Sequence, residues 1–294
     1  DDPTTSAYDP LTRGVDPYQF PGNTAGPGGS EIPSFDFRPA NREMVPSKPG
    51  KLTLKYDESI RDEVGTTLAV FRYDPQNKYW ENLGGKVDIR KHTIEVPFAN
   101  FGYYVVGKMM YSYMDVTQHD YGRNHMEAIF AKGIMNPVDY DRFGADVYTT
   151  RGEFARISVK VANLPLNYEL GTSHFDDVPV VINPDALWDY RYVETAARHG
   201  IIRGTTPRTF EPYNNVTRED AAVIIARALN MRLETNPDKV NAELSKAFKD
   251  WADIAYYARP AVLAITKAGY IKGSPINPAN PEKGYVFEPK SFLL

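Results

Sequence analysis

Two arginines stand where helices are expected to begin, and they offer the clearest chemistry in this sequence. Arg151 in TTRGEFA and Arg218 in VTREDAA each follow a threonine at an N-cap position, with an acid two residues later. A cation at the positive end of a helix dipole carries a small electrostatic penalty. Beside unpaired helix amides, however, a guanidinium can grip a carboxylate with two hydrogen bonds. An arginine recurs at the same position of two helix starts, and this recurrence favours anion binding. The alternative is that each arginine is solvated or pairs with an acid of a neighbouring copy of the same sequence pattern.

Composition and motifs exclude several other functions. The 294-residue chain carries a formal charge of −4 without a basic run, which argues against nucleic-acid binding. It has no cysteine, and no apolar run approaches the roughly 20 residues needed to insert into a membrane. No nucleophile elbow, phosphate loop or His-Glu-x-x-His motif is present, and His119 and His125 alone make a poor metal site. We therefore expect no enzyme, no cofactor and no metal.

The second half of the chain repeats itself three times. A glycine that should end a helix recurs 67 and then 69 residues apart, as Gly133, Gly200 and Gly269. Twelve residues before each glycine lies a large aromatic residue: Tyr121, Trp188 and Tyr257. Further upstream an aromatic-x-Asp motif ends at Asp115, Asp177 and Asp250. Each copy should fold as helix, glycine turn, loop and capped helix, with the third copy lacking its final helix.

Composition divides the chain into five segments. Residues 1–50 are rich in Pro and Gly and predict an extended linker or arm. Residues 51–108 alternate apolar and polar positions and predict a small antiparallel β-sandwich or barrel. The three repeats are placed at 109–171, 172–240 and 241–294. The predicted class is therefore multidomain α+β.

The combined pattern resembles the S-layer homology family. The second copy matches best, through Phe175, Asp177, Val178, Trp188, Gly200, Gly204, Phe210, Pro212, Thr217, Arg218 and Glu219. The first copy has Tyr121 in place of Trp, Pro137 in place of the second Gly, and no clear Phe-x-Pro. The third has Tyr257 in place of Trp. Residues 51–107 are similar, more loosely, to the β-domain that often precedes such repeats in surface-layer proteins.

The resemblance implies a non-catalytic cell-envelope anchor outside the cell. The three repeats would form a pseudo-threefold module whose grooves bind an anionic secondary cell-wall polysaccharide, often one carrying a pyruvate ketal. The first residues, DDPTT, suit a chain whose signal peptide has been removed. Other surface-layer subunits are further possible partners, and a catalytic domain could lie outside this chain. The functional alternative is a protein–protein assembly module whose arginines form ion pairs between subunits.

Ten residues are candidates for the glycan site, and most have a second interpretation. Trp188 is equally compatible with core packing and with stacking on a sugar, and the aspartates with glycan contact or with turn capping. For Tyr121 and Tyr257 we prefer core packing over ligand contact. For the glycines the first role is to form backbone turns, and contact with a ligand is secondary. The complete set is Arg151, Arg218, Trp188, Asp115, Asp177, Asp250, Gly200, Gly269, Tyr121 and Tyr257.

Overall fold

The computed structural model describes residues 48–61, 63–74, 78–119, 122–166 and 173–294. The predicted arm at 1–50 lies almost wholly outside these ranges, and so does the candidate residue Tyr121. The contacts divide the chain into two compact units. The first unit takes the described residues up to Ala145, with Asn163–Leu166 and Asn183–Leu187. The second takes Asp146–Ala162, the described part of Asn167–Ile182, and Trp188–Leu294.

Two three-stranded antiparallel sheets build most of the first unit, with strand orders β1-β5-β4 and β3-β2-β6. Apolar side chains alternate along these strands, and those of both sheets enter one core that includes Leu54, Val70 and Ile94. The strands are β1 (Gly50–Lys55), β2 (Leu68–Asp74), β3 (Tyr79–Gly84), β4 (Lys86–Asp88), β5 (Thr93–Phe98) and β6 (Tyr104–Lys108). The predicted antiparallel strands and the mixed α+β class are confirmed.

Three helices complete the first unit: α1 (Val64–Thr67), α2 (Met114–Thr117) and α3 (Arg123–Ala131). The end of α3 is fixed on β3, where Asn82 donates to the Ala131 carbonyl at 3.0 Å. Lys132 donates to the carbonyls of Leu68 (2.5 Å) and Gly85 (3.0 Å), and burial lowers its pKa to about 8. The first half of repeat 1 therefore shares a compact unit with the strands, so the predicted boundary at 108/109 does not separate two units.

The second unit is mainly helical. Its helices are α4 (Arg151–Val161), α5 (Tyr190–Arg198), α6 (Arg218–Ala228), α7 (Pro237–Ala247) and α8 (Arg259–Lys267), and its short strands are β7 (Ser274–Pro275) and β8 (Tyr285–Val286). Helices α5 and α8 each end at a glycine with positive φ, as the repeat pattern predicts. The predicted boundary between residues 240 and 241 falls inside α7.

Three residues at equivalent positions of the repeats close a ring of backbone hydrogen bonds in the second unit. Thr149, Val216 and Leu293 each precede the residue at the N-cap position of their repeat. The N–H of Thr149 donates to Leu293 (2.9 Å from nitrogen to oxygen), that of Val216 to Thr149 (3.0 Å), and that of Leu293 to Val216 (3.2 Å). Each residue gives one donor and one acceptor, so the chain positions that lead into the N-caps are held together by backbone alone.

Candidate ligand-binding site

Thr150 and Thr217 are the N-caps of α4 and α6, and these caps fix the positions of the two arginines that follow them. Thr150 and Glu153 form a full capping box, because the threonine hydroxyl accepts from the Glu153 amide and the carboxylate accepts from the Thr150 amide. Thr217 likewise caps α6 by accepting from the Asp220 amide at 3.2 Å. The Asp220 carboxylate, however, accepts the hydroxyl of Tyr257 at 2.7 Å. The predicted N-caps are therefore confirmed at both helices, and the full capping box is present in α4.

The amides at these helix starts are already paired, contrary to the expectation of free donors. In α4 the N–H groups of Arg151 and Gly152 donate to the carbonyls of Asn214 and Pro212, both at 2.8 Å. In α6 the same bonds run from Arg218 to Ser291 (2.9 Å) and from Glu219 to Pro289 (3.1 Å). Each helix start thus docks on the loop of the next repeat. The prediction that unpaired amides would attract an anion here is wrong.

The arginine side chains repeat the same docking. The Arg151 guanidinium lies over the Phe210 ring, 4.9 Å from its centroid, and Nε donates to the Phe210 carbonyl at 2.9 Å. Its Nη2 donates to the Arg203 carbonyl at 3.2 Å. Arg218 lies 5.2 Å over the Phe287 ring and donates to the carbonyls of Phe287 (2.8 Å) and Lys272 (3.2 Å). We call the contact of the α4 start with residues 203 and 210–214 the first junction, and that of the α6 start with residues 272 and 287–291 the second junction.

The remaining edge of Arg151 faces an acid of the neighbouring repeat. Its Nη1 lies 3.7 Å from a carboxylate oxygen of Asp220. Because the Asp220 carboxylate also holds Tyr257, one residue from each repeat meets here. Burial and the Asp220 carboxylate raise the pKa of the Tyr257 phenol above its usual value of 10.0. Arg151 therefore has the inter-repeat partner that the sequence left as an alternative to ligand binding.

Two of the three repeat aspartates hold the junction loops through backbone amides. Asp177 accepts from the amides of Phe210 (2.9 Å) and Glu211 (2.6 Å), and Asp250 accepts from those of Phe287 and Glu288, both at 2.7 Å. These are the turn-capping bonds that the sequence allowed as one of two roles. Glycan contact by the aspartates stays a prediction.

Asp115 holds an equivalent loop in the first unit. It accepts from the amides of Phe143 (3.1 Å), Gly144 (2.7 Å) and Ala145 (3.1 Å). Burial alone would raise the pKa of Asp115, but the amides outweigh it and hold the pKa below its usual value. Phe143-Gly144-Ala145 is therefore the first-copy counterpart of Phe-x-Pro, which sequence reasoning missed because the proline is absent.

An aromatic pair fills the first junction. The half-buried Trp188 indole packs against the backbone of Gly152 in the first turn of α4; a Cβ added to this glycine would lie 2.4 Å from the ring. Tyr213 lies on the other side, with its ring centroid 5.2 Å from that of Trp188 and the planes inclined by 57°. Asp189, which follows Trp188, caps α5 and pairs with Arg191 at 2.7 Å. The start of α5 therefore fixes where the indole lies.

Charged side chains fill the second junction instead. Glu219 stands at the position of Gly152, is only 3% exposed, and accepts from the Ala255 amide at 2.9 Å. Its carboxylate also pairs with Lys290, which stands at the position of Tyr213. Tyr257, at the position of Trp188, is 58% exposed and bonds to Asp220. The second junction thus has no aromatic pair.

The candidate glycines serve the backbone. Gly200 and Gly269 adopt φ angles of 67° and 75°, which other residues rarely take, and a Cβ added at either position would meet no atom within 4 Å. Their type is therefore set by backbone conformation rather than by lack of space.

Two further arginines add positive charge near the first junction. In the part of the chain that the structure describes, Arg203 and Arg227 have no carboxylate partner. Burial, and then the nearby charge of Arg203, lower the pKa of Arg227. Arg227 follows Asp220 by seven residues, which places both on one face of α6.

Metal-binding and membrane-spanning features were sought in the same residues. The described ranges contain no group of three or more His, Cys, Asp or Glu side chains that could hold a metal ion. No helix within them is both long enough and apolar enough to cross a bilayer.

Comparison with known proteins identifies the repeated segments. The family model of the S-layer homology domain matches residues 112–155, 184–222 and 247–281. Over 58% of its length the chain is 27% identical to a surface layer protein of Brevibacillus choshinensis, covering 16% of that protein. Over 48% it is 25% identical to S-layer protein EA1 of Bacillus anthracis, covering 15% of that protein.

A longer match is to an enzyme. The chain is 25% identical to an amylopullulanase of Thermoanaerobacterium thermosulfurigenes over 83% of its own length, but covers only 12% of that protein. The chain thus spans less than a fifth of each of these three relatives.

Proposed function

We propose, because this chain carries three tandem S-layer homology domains, that it anchors a protein to the bacterial cell wall without catalysing a reaction. Its ligand would be an anionic secondary cell-wall polysaccharide, bound between repeats and recognised through acid groups such as pyruvate ketals. Surface-layer subunits are further proposed partners, in keeping with the names of the relatives. The proposed site comprises Arg151, Arg218 and Trp188, with the repeat aspartates holding the loops around them.

One observation carries this proposal: each junction holds a guanidinium in a fixed orientation. In both arginines Nε and Nη2 donate to carbonyls while the plane of the group lies on a phenylalanine ring. Little side-chain entropy is then left to lose when a carboxylate binds the remaining N–H groups. No acid within the described ranges lies at ion-pair distance from Arg218.

The finer architecture belongs to the same proposal. We propose a pseudo-threefold arrangement of the repeats, supported by the hydrogen-bond ring through Thr149, Val216 and Leu293. We also propose that the two sheets of the first unit form a sandwich, supported by their shared core. The repeat limits 109–171, 172–240 and 241–294 remain part of this proposal.

A co-sedimentation assay with bacterial wall sacculi tests the function. The wild-type chain should pellet with intact sacculi, and binding should fall at least tenfold once mild acid removes pyruvate or hydrofluoric acid strips the secondary polymer. Arg218→Ala should weaken binding by a similar factor. Arg232→Ala is the control, because Arg232 is exposed and lies outside both junctions.

Two results would contradict the proposal. Unchanged binding of Arg218→Ala would remove the arginine from the site. Equal binding to intact and stripped sacculi, or binding that requires a second surface-layer subunit, would favour the protein–protein assembly module.

A further inference from the structure

We infer that the first junction carries an aromatic subsite for a sugar ring, formed by Trp188 and Tyr213, which the second junction lacks. This inference rests on the proposed function and specifies which of the two junctions stacks on the glycan. The ligand class is a pyranose ring with one unsubstituted C–H face and an acid group nearby. Tyr213 lies outside the residues assigned to the site above.

The exposure of Tyr213 is the first step of the argument. Its ring is 68% exposed although it stands three residues after Phe210, whose side chain is fully buried. The Pro212 carbonyl between them accepts the Gly152 amide, so the backbone that carries Tyr213 is anchored to α4. A large aromatic ring on an anchored loop offers a flat apolar surface at little entropic cost.

The second step of the argument is the packing of the Trp188 indole on Gly152. Gly152 has no side chain, and the indole occupies the space where a Cβ would be. This contact buries one part of the indole and directs the rest toward Tyr213, at 5.2 Å between centroids. The two inclined rings form an open angle rather than a closed stack, and C–H groups of a sugar can contact both.

Charge is the third step. Arg151 directly precedes Gly152, and the exposed Arg203 has no acid partner in the described part of the chain. Both cations belong to the first junction, because the Arg203 carbonyl accepts from Arg151. A ring on the aromatic pair would therefore have its acid group near Arg203 and near Arg151, whose Nη1 also lies 3.7 Å from Asp220, so stacking and charge select the same ligand.

The residues of the second junction leave no aromatic stacking surface for a sugar ring. Glu219 fills the glycine position with a buried carboxylate, and Lys290 in the tyrosine position is drawn onto it. The phenol of Tyr257 is bound to Asp220 and has no aromatic partner among the described residues. An acidic glycan at this junction would meet Arg218 but no stacking surface.

Isothermal titration with soluble wall polysaccharide, released from sacculi by hydrofluoric acid, tests the inference. Tyr213→Ala should weaken binding about tenfold, whereas Tyr213→Phe should bind within about twofold of wild type because the ring is kept. Tyr256→Ala is the matched control, since Tyr256 is 69% exposed and should not alter binding. The salt dependence should stay unchanged in Tyr213→Ala and become shallower in Arg218→Ala.

The outcomes separate this inference from the proposed function. If Tyr213→Ala binds like wild type while Arg218→Ala is weakened, the aromatic subsite is refuted and the anchoring function stands. Equal losses in Tyr213→Ala and Tyr213→Phe would also refute it, because they would assign the effect to the hydroxyl. If the wild-type chain does not bind the polysaccharide at all, both proposals fall.

Discussion

The two junctions of the second unit are built on one backbone frame and filled by different side chains. In both, two helix amides and one arginine bind the loop of the next repeat, and one aspartate of that next repeat holds the same loop through matching atoms. The fill differs at three positions. The first junction has Gly152, Trp188 and Tyr213, and the second has Glu219, Tyr257 and Lys290.

This difference shows which residues hold the frame and which are available for recognition. Bonds of the frame end almost entirely on backbone groups, whose positions do not depend on the identity of neighbouring side chains. Gly152 contacts Trp188 and Trp188 contacts Tyr213 in the first junction, while Glu219 pairs with Lys290 in the second, so a change at one position alters the space or charge available to its neighbour. The large Trp188 indole needs the space that a glycine leaves, and the Glu219 carboxylate pairs with the opposite charge of Lys290. The frame should therefore respond alike to mutation at both junctions, whereas the fill should not.

Replacing the two aspartates that hold the junction loops tests the frame, and these variants should show the largest loss of unfolding free energy. Asp177→Ala leaves the amides of Phe210 and Glu211 without their acceptor, and Asp250→Ala does the same for Phe287 and Glu288. Each variant should lose about 3 kcal/mol of unfolding free energy, since two bonds to a charged acceptor disappear. Urea unfolding measures the loss, and hydrogen exchange at the four amides locates it. Losses that differ by more than about 1 kcal/mol would contradict the equivalence of the frames.

A smaller loss of stability is expected from a residue that differs between α5 of the second repeat and α8 of the third. Glu194 in α5 is only 2% exposed and accepts from the His174 amide (2.9 Å), the His174 ring (2.8 Å) and Arg198 (2.8 Å). The matching position in α8 is the buried Leu263. Burial alone would raise the pKa of Glu194, but Arg198 and His174 outweigh it and hold the pKa below the usual 4.5. The stability from this acid is thus present above pH 4.5 and is lost as the pH falls through the lowered pKa.

Glu194→Gln tests this sign. At pH 7 the variant should be less stable than wild type by about 1.5 kcal/mol, because charged hydrogen bonds become neutral ones. The difference should shrink as the pH is lowered below 4.5, where the wild-type acid gains its proton. Urea unfolding at several pH values between 7 and 3 measures it. A difference that stays constant over this range would show that Glu194 contributes no charge-dependent stability.

The sequence predicted those features that each repeat determines by itself. The threonine caps of α4 and α6 and the glycine ends of α5 and α8 are local, since each depends on residues within one turn of a helix. The start of α7 was equally readable, from Asn236 as the cap and Pro237 at the first helical position, but was not recognised.

Bonds between repeats could not be predicted in this way. Periodicity shows that positions are equivalent but not which repeat supplies their partners, so the paired amides of Arg151 and Gly152 were expected to be free. The same limit hid Tyr213 and Lys290, which correspond to each other yet differ in chemistry. The loop at Phe143 was hidden for another reason, because its bonds to Asp115 survive although the proline is replaced by Ala145.

The packing of the Trp188 indole on Gly152 is tested by a substitution whose effect on the unfolding free energy should change sign when the indole is removed. Gly152→Ala adds a Cβ 2.4 Å from the Trp188 indole, a clash of about 2 kcal/mol that exceeds the gain of about 1 kcal/mol in helix propensity. The variant should therefore lose about 1 kcal/mol. In a Trp188→Ala background the clash is gone, and the same substitution should stabilise by about 1 kcal/mol. Urea unfolding of the four proteins completes the cycle, and additive effects would show that the indole does not rest on the glycine.

The smallest effect concerns the hydrogen bond from the Tyr257 hydroxyl to Asp220 in the second junction. Tyr257→Phe removes the bond to Asp220 and leaves this carboxylate facing Arg151, 3.7 Å away. The loss should be about 0.5 kcal/mol, because the bond is exposed, whereas Tyr256→Phe should change nothing measurable. The difference in ultraviolet titration between wild type and Tyr257→Phe isolates this one phenol, whose pKa should lie above 10.0. Asp220→Asn should return that pKa toward 10.0, since it removes the charge that opposes ionisation. A Tyr257 pKa of 10.0 in the wild-type protein would mean that the Asp220 carboxylate does not hold the phenol, and that charge at the three filling positions of the second junction is set by Glu219 and Lys290 alone.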